Sequence, residues 1–246
     1  MRYDPIPNTL FVKNRSNFIA QMKPNTIAIL TSNDVKHNNA DDVMGFTQNN
    51  DLFYLSGIDQ EETILVIYPD AAKKENREIL FVKETNEQIK IWDGEKLTKE
   101  KATTISGIQR VEWSGDFEML LQYIAFEADG FYLGHNEHLK RVTKDQETQQ
   151  DRMISWCKKK YPLHEYLRAA KITRSLRQIK SEEEIEQIQK AADISVESFK
   201  NVLKACKPAM KEYELEAELT YNLVKSGALH HAFQPIVASG KNACAL

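Results

Sequence analysis

Cysteine, glycine and long apolar runs are all scarce in this sequence, and each scarcity excludes something. The three cysteines in 246 residues, Cys157, Cys206 and Cys244, lie far apart, with neither disulfide nor metal-ligand spacing. A cytoplasmic protein with reduced thiols is therefore expected. The nine glycines form no phosphate-cradling loop, and no serine sits in a Gly-x-Ser-x-Gly elbow. No segment approaches the ~18 apolar residues of a membrane-spanning helix. The opening MRYDPIPNTL has neither the basic nor the apolar part of a secretory signal, so no membrane partner is expected, and the sequon Asn14-Arg15-Ser16 reads as coincidence. Neither sign of charge dominates: 33 Lys and Arg against 36 Asp and Glu give −3. That lacks the concentrated positive field of a nucleic-acid binder, so no nucleic acid is expected as a partner.

What is present fits an ordinary globular chain, 41% hydrophobic and 28% charged. At about 150 residues per domain, the length suggests one large or two modest domains. The spacing of Phe11, Phe18, Ile19 and Met22 suggests a helix over 11–22, though with an imperfect stripe. TIAILTS (26–32), LFYLSG (52–57), TILVIYP (63–69), EILFVKE (78–84) and GFYLGH (130–135) are short runs rich in β-branched and aromatic residues, and each reads as a strand. Amphipathic helices are expected over 117–127 and 146–160. The alternation predicts an α/β fold, a mixed sheet flanked by helices, over residues 1–172.

Near residue 173 the texture changes. A basic, polar connector over 173–180 leads to Ser181, with Glu184 three residues on, the signature of a capping box. Ile185, Ile188, Ala192, Val196, Phe199, Val202 and Cys206 then mark one apolar stripe, ended by Pro208. A second helix from about 212 carries Leu215, Leu219 and Leu223 and stops at Gly227, and FQPIVASG (233–240) reads as a strand. Two long amphipathic helices and one strand cannot cover their own apolar faces, so residues 181–246 read as the beginning of an incomplete second domain.

Generic motifs offer little chemistry. Glu182, Glu183 and Glu184 could be an acid cluster, but a charged first helical turn explains them better. His135 and His138 have chelating spacing, with only Glu137 as a nearby carboxylate, and a loop-exposed pair is the plainer reading. His230 and His231 are adjacent and on a strand would face opposite ways.

A longer pattern says more. NNADDVMGFTQNNDLFYLSG (38–57), IWDGEKLTKEKA (91–102), LRQIKSEEEIEQIQKAADIS (176–195) and the final forty residues from KPAMKEYELE to KNACAL (207–246) together resemble aminopeptidase P, the Xaa-Pro aminopeptidases. Three positions depart from the family's usual pattern: Asn38 and Thr47 stand where arginine is frequent, and Ala209 where glycine is frequent.

The resemblance implies a creatinase-like amino-terminal domain followed by a truncated pita-bread metallopeptidase domain. The activity it implies is removal of an N-terminal residue that precedes proline, from a peptide with proline at the second position. Paired divalent cations, typically manganese, would activate a bridging water in the complete enzyme. The family's metal ligands fall beyond the matched segments, so no metal and no catalytic residue is expected within this chain. Asp41, Trp92 and Phe233 match substrate-binding positions, the first two reaching a neighbouring subunit's site, which implies a homo-oligomer. Each also has a plainer reading: an Asx-turn residue, a turn aromatic and a buried strand residue, respectively. An Xaa-Pro dipeptidase or creatinase relative on the same fold, or a non-catalytic binding or assembly module, remains an alternative.

Overall fold

The computed structural model describes residues 5–137 and 147–245. The chain divides into two compact units, residues 6–179 and residues 180–246 together with the first five.

The larger unit is built on a six-stranded sheet. Its strands are β1 (Thr26–Thr31), β2 (Ile64–Ile67), β3 (Glu78–Val82), β4 (Arg110–Trp113), β5 (Gly130–Leu133) and β6 (Glu165–Arg168). They lie in the order β4-β3-β2-β1-β5-β6, and all run parallel except β2, which is antiparallel to both its neighbours. The four central strands are buried on both faces, which is why they read as continuous apolar runs rather than alternating ones.

Helices cover each face. On one, Ile27, Ile29, Val66, Phe81 and Phe131 pack against α5 (Phe117–Ala125) and α6 (Gln149–Lys160) through Leu121, Ile124, Met153 and Cys157. On the other, Ala28, Leu30, Leu65, Leu80 and Val82 meet α1 (Asn8–Ile19), α2 (Asn50–Ser56), α4 (Lys99–Ser106) and α7 (Ala169–Gln178) through Phe18, Leu52, Leu55, Ala102 and Ile172. A short helix, α3 (Glu87–Asp93), stands between β3 and α4. This is the mixed sheet flanked by helices that the alternation predicts.

Two expected features of the larger unit differ. LFYLSG is not a strand: Asn49 accepts hydrogen bonds from the N–H groups of Asp51 and Leu52, caps a helix, and Gly57 closes it in the left-handed conformation at φ +70°. The polar stretch expected as a connector is helical as far as Gln178. The buried Ile172 and Thr173 anchor α7, and Asp51 binds both the Thr173 hydroxyl (2.9 Å) and the Arg177 guanidinium (2.6 Å).

The smaller unit contains α8 (Glu182–Ala205) and α9 (Glu212–Lys225), packed side by side, with Asn201 Nδ2 donating to Asn222 Oδ1 at 2.9 Å. The predicted capping box is present: Ser181 N donates to the Glu184 carboxylate at 2.9 Å while Ser181 Oγ accepts from Glu184 N. Ile185, Ile188, Val196 and Phe199 on α8 remain more than half exposed. Residues 233–239 form no strand, because no other strand among the described residues of this unit offers an edge to pair with, and a 3₁₀ turn follows over Gly240–Cys244.

Candidate functional site

The loop carrying Asp41 is a self-bonded excursion between β1 and α2. His37 and Val43 form an isolated antiparallel bridge, Met44 N donates to Lys36 O (2.8 Å), and Asn38 N donates to Asp42 O (3.0 Å). Asn38 Nδ2 also binds Asp42 Oδ2 at 2.9 Å, so Asn38 and Asp42 do the local turn work and Asp41 is left exposed at the tip. Ala40 beside it has φ +53°, a conformation that disfavours a residue with a Cβ.

Trp92 sits on α3, whose start is capped by Asn86 and whose end is Gly94 at φ +73°. The indole is 88% exposed and neighbouring Ile91 is 76% exposed. A turn aromatic sealing the edge of its own domain would be covered; this one is not. Phe233, in the smaller unit, is 78% exposed rather than buried in a strand. It lines an open groove with Phe199, Leu219, Leu223 and Ile236.

The other candidates resolve into structural roles. Glu184 belongs to the capping box, and the acidic run forms the first turn of α8. His135 Nδ1 lies 3.3 Å from Asp151 Oδ1, while His138 falls outside the described residues. His230 Nδ1 meets the carbonyl of His231, and His231 Nε2 meets Thr220 Oγ1 at 2.9 Å. Asn14 of the sequon is buried in α1 and donates to Tyr54 O at 3.0 Å, a position no glycan could occupy. Burial pushes the Cys157 thiol up to about 12, which keeps it protonated and unreactive. The Arg168 guanidinium hydrogen-bonded to Glu137 holds that carboxyl below the usual range. Among the described residues, no three His, Cys, Asp or Glu side chains are grouped so that they could hold a metal ion. No described helix is long and apolar enough to cross a membrane.

Gln48 lies within the 38–57 segment that carries the resemblance, but its residue type alone assigns it no role. It is 6% exposed, and its amide donates to the carbonyls of Ile58 (3.0 Å) and Gln60 (2.8 Å). The preceding Thr47 is exposed, so its departure from the frequent arginine leaves this buried anchor intact.

Comparison with known proteins matches the two units separately. Residues 11–132 match the aminopeptidase P N-terminal domain, and residues 186–246 match metallopeptidase family M24. The Xaa-Pro aminopeptidase of Escherichia coli (strain K12) is 25% identical over 249 residues, covering 96% of this chain and 53% of that protein. The structure of Pseudomonas aeruginosa aminopeptidase PepP superposes with TM-score 0.85 at 27% identity, covering 98% of this chain and 54% of that one. A Bacillus anthracis chain superposes with TM-score 0.87 at 31% identity, covering 98% and 57%. The chain thus spans about half the length of the curated relatives it matches. With both units matched in chain order, the chain belongs to the aminopeptidase P family and carries its N-terminal domain and the start of its pita-bread domain.

Proposed function

We propose that these residues are the amino-terminal portion of a divalent-metal-dependent Xaa-Pro aminopeptidase, which removes a first residue that precedes proline. The observation that carries this reading is the ordered pair of family matches, 11–132 and 186–246, in one chain. In domain terms, residues 1–172 are the amino-terminal domain, 173–180 the passage out of it, and 181–246 the opening of the catalytic domain. Manganese is the proposed metal. The part proposed for these residues lies on the substrate side of the reaction.

Asp41, Trp92 and Phe233 are the proposed substrate-binding residues. Their exposure supports this: an uncovered indole beside an uncovered isoleucine is surface that a soluble domain ordinarily hides, and it suits contact with a peptide or a second subunit. A homo-oligomer in which Asp41 and Trp92 face a neighbour's site is part of the proposal. A cytoplasmic location is also proposed, in keeping with three free cysteines.

The test is cleavage of paired Xaa-Pro-Yaa and Xaa-Ala-Yaa peptides by the whole protein. Release of the first residue from the proline peptide alone, abolished by a chelator and restored by manganese, is expected. Equal cleavage of both peptides would refute the specificity.

A further inference from the structure

The two segments carrying Asp41 and Trp92 are fastened to a single turn. Residues 58–62 lead from α2 to β2, with Glu62 at φ +52° and Thr63 Oγ1 donating to Gln60 O at 2.9 Å. From one side, Gln48 closes the Asp41 loop onto this turn through its bonds to Ile58 O and Gln60 O. From the other, Leu97 N donates to Gln60 Oε1 at 2.8 Å, and Lys96 Nζ pairs with Glu61 Oε1 at 2.6 Å. Leu97 and Lys96 follow closely on Trp92 and the Gly94 turn.

Gln60 is where the two attachments meet. Its carbonyl receives the Asp41 side and its side chain receives the Trp92 side, yet the residue is 6% exposed. A turn that merely joined α2 to β2 would not need a buried amide reaching to residue 97. That amide carries a cost, since Nε2 is buried without a protein partner among the described residues, and an apolar side chain would avoid it. Buried amides are kept where their bonds specify a geometry.

We infer that Gln60 is a positioning residue that holds the Asp41 loop and the segment after Trp92 in register, so that the two meet substrate as one unit. The inference rests on the substrate roles proposed above. It does not require Gln60 to touch the peptide.

The test pairs two readouts. In hydrogen exchange on the 246-residue chain, Gln60→Met should accelerate the amide of Leu97 and also that of Met44, inside the Asp41 loop, by about tenfold, the scale of one lost hydrogen bond in local opening. Amides of β2 should stay protected. Gln48→Met should accelerate the same two amides from the opposite side. Acceleration at Leu97 with Met44 unmoved would overturn the inference, and so would a uniform acceleration that includes β2. In peptide cleavage by the whole protein, Gln60→Met should raise KM several-fold with kcat nearly constant, a split that general destabilisation would not produce. Coupled exchange with KM unmoved in Asp41→Ala and Trp92→Ala would overturn the substrate roles, and with them the functional half of this inference. Uncoupled exchange overturns the inference while leaving those roles standing.

Discussion

Arg15 should be the most sensitive single position in the larger unit. It is 1% exposed, and one guanidinium nitrogen donates to Leu55 O at 2.8 Å and to Ser106 O at 2.9 Å. Those carbonyls belong to the last turns of α2 and α4, where helical partners run out, so one arginine satisfies orphan acceptors of two helices and sets its charge against both negative dipole ends. Nε lies 3.1 Å from Glu78 Oε2, a carboxylate that is 30% exposed. Replacing Arg15 by Met keeps most of the volume and removes every donor. Two buried carbonyls then lack partners, at about 1–3 kcal/mol each, while Glu78 rehydrates cheaply. The expected loss is about 3–5 kcal/mol, the usual scale for breaking a buried charged contact. Urea unfolding followed by tryptophan fluorescence isolates the larger unit, because Trp92, Trp113 and Trp156 all lie within it. Glu78→Gln should lose less than about 1 kcal/mol, as expected for a part-exposed pair. A loss below about 1 kcal/mol in Arg15→Met would mean that the two helix ends do not depend on the guanidinium. An equal loss in Glu78→Gln would move the effect to the ion pair instead.

Ala209 has φ +70°, so Ala209→Gly should stabilise the smaller unit by about 1 kcal/mol after allowing for glycine's extra unfolded-state freedom, read as a rise in thermal midpoint by circular dichroism. Gly57→Ala should do the reverse in the larger unit: its Cβ would overlap the Phe11 ring at φ +70°, and a loss of about 2 kcal/mol or more is expected in the same urea assay. Glu212 accepts from Ser239 N (2.7 Å), and its carboxyl lies below the usual range because of that bond and those from Asn242 and the Ser239 hydroxyl. A lowered folded pKa stabilises above the ordinary glutamate value of about 4.3 and is lost as pH falls through the lower folded value. The Ser239 amide should therefore keep its bonded NMR shift through neutral pH and lose it only in acid. A transition near neutrality would contradict the assignment.

The four central strands are legible in the sequence because burial on both faces makes them continuous apolar runs. α2 is not, because LFYLSG has strand-like composition and only seven residues of helix to show a period. A signal is nevertheless there. Ser56-Gly57-Ile58 and Ser106-Gly107-Ile108 form the same ending, with each serine hydroxyl donating four residues back, each glycine at φ +70° or +74°, and each isoleucine fully buried. The edge strands β4 and β6 leave little trace, since most of their residues are only partly buried and lack an apolar run. Residues 233–239 have the composition of a strand, but a strand also needs an edge, which composition cannot supply. At the candidate site, the exposed residues come from family resemblance alone. The buried Gln48 and Gln60 that fasten their loops depend on contacts that spacing does not encode.

The proposal that these 246 residues supply substrate-side groups of an Xaa-Pro aminopeptidase predicts that the chain by itself holds no catalytic metal. Titration calorimetry with manganese on the purified chain, beside a proline-peptide assay, decides the point. The chain alone should give no stoichiometric heat and release no first residue, with chelator-sensitive cleavage appearing once it is joined to the remainder of an M24 domain. Stoichiometric micromolar manganese binding by the chain alone, or turnover that a chelator abolishes, would place a working metal site within these residues and contradict the assignment.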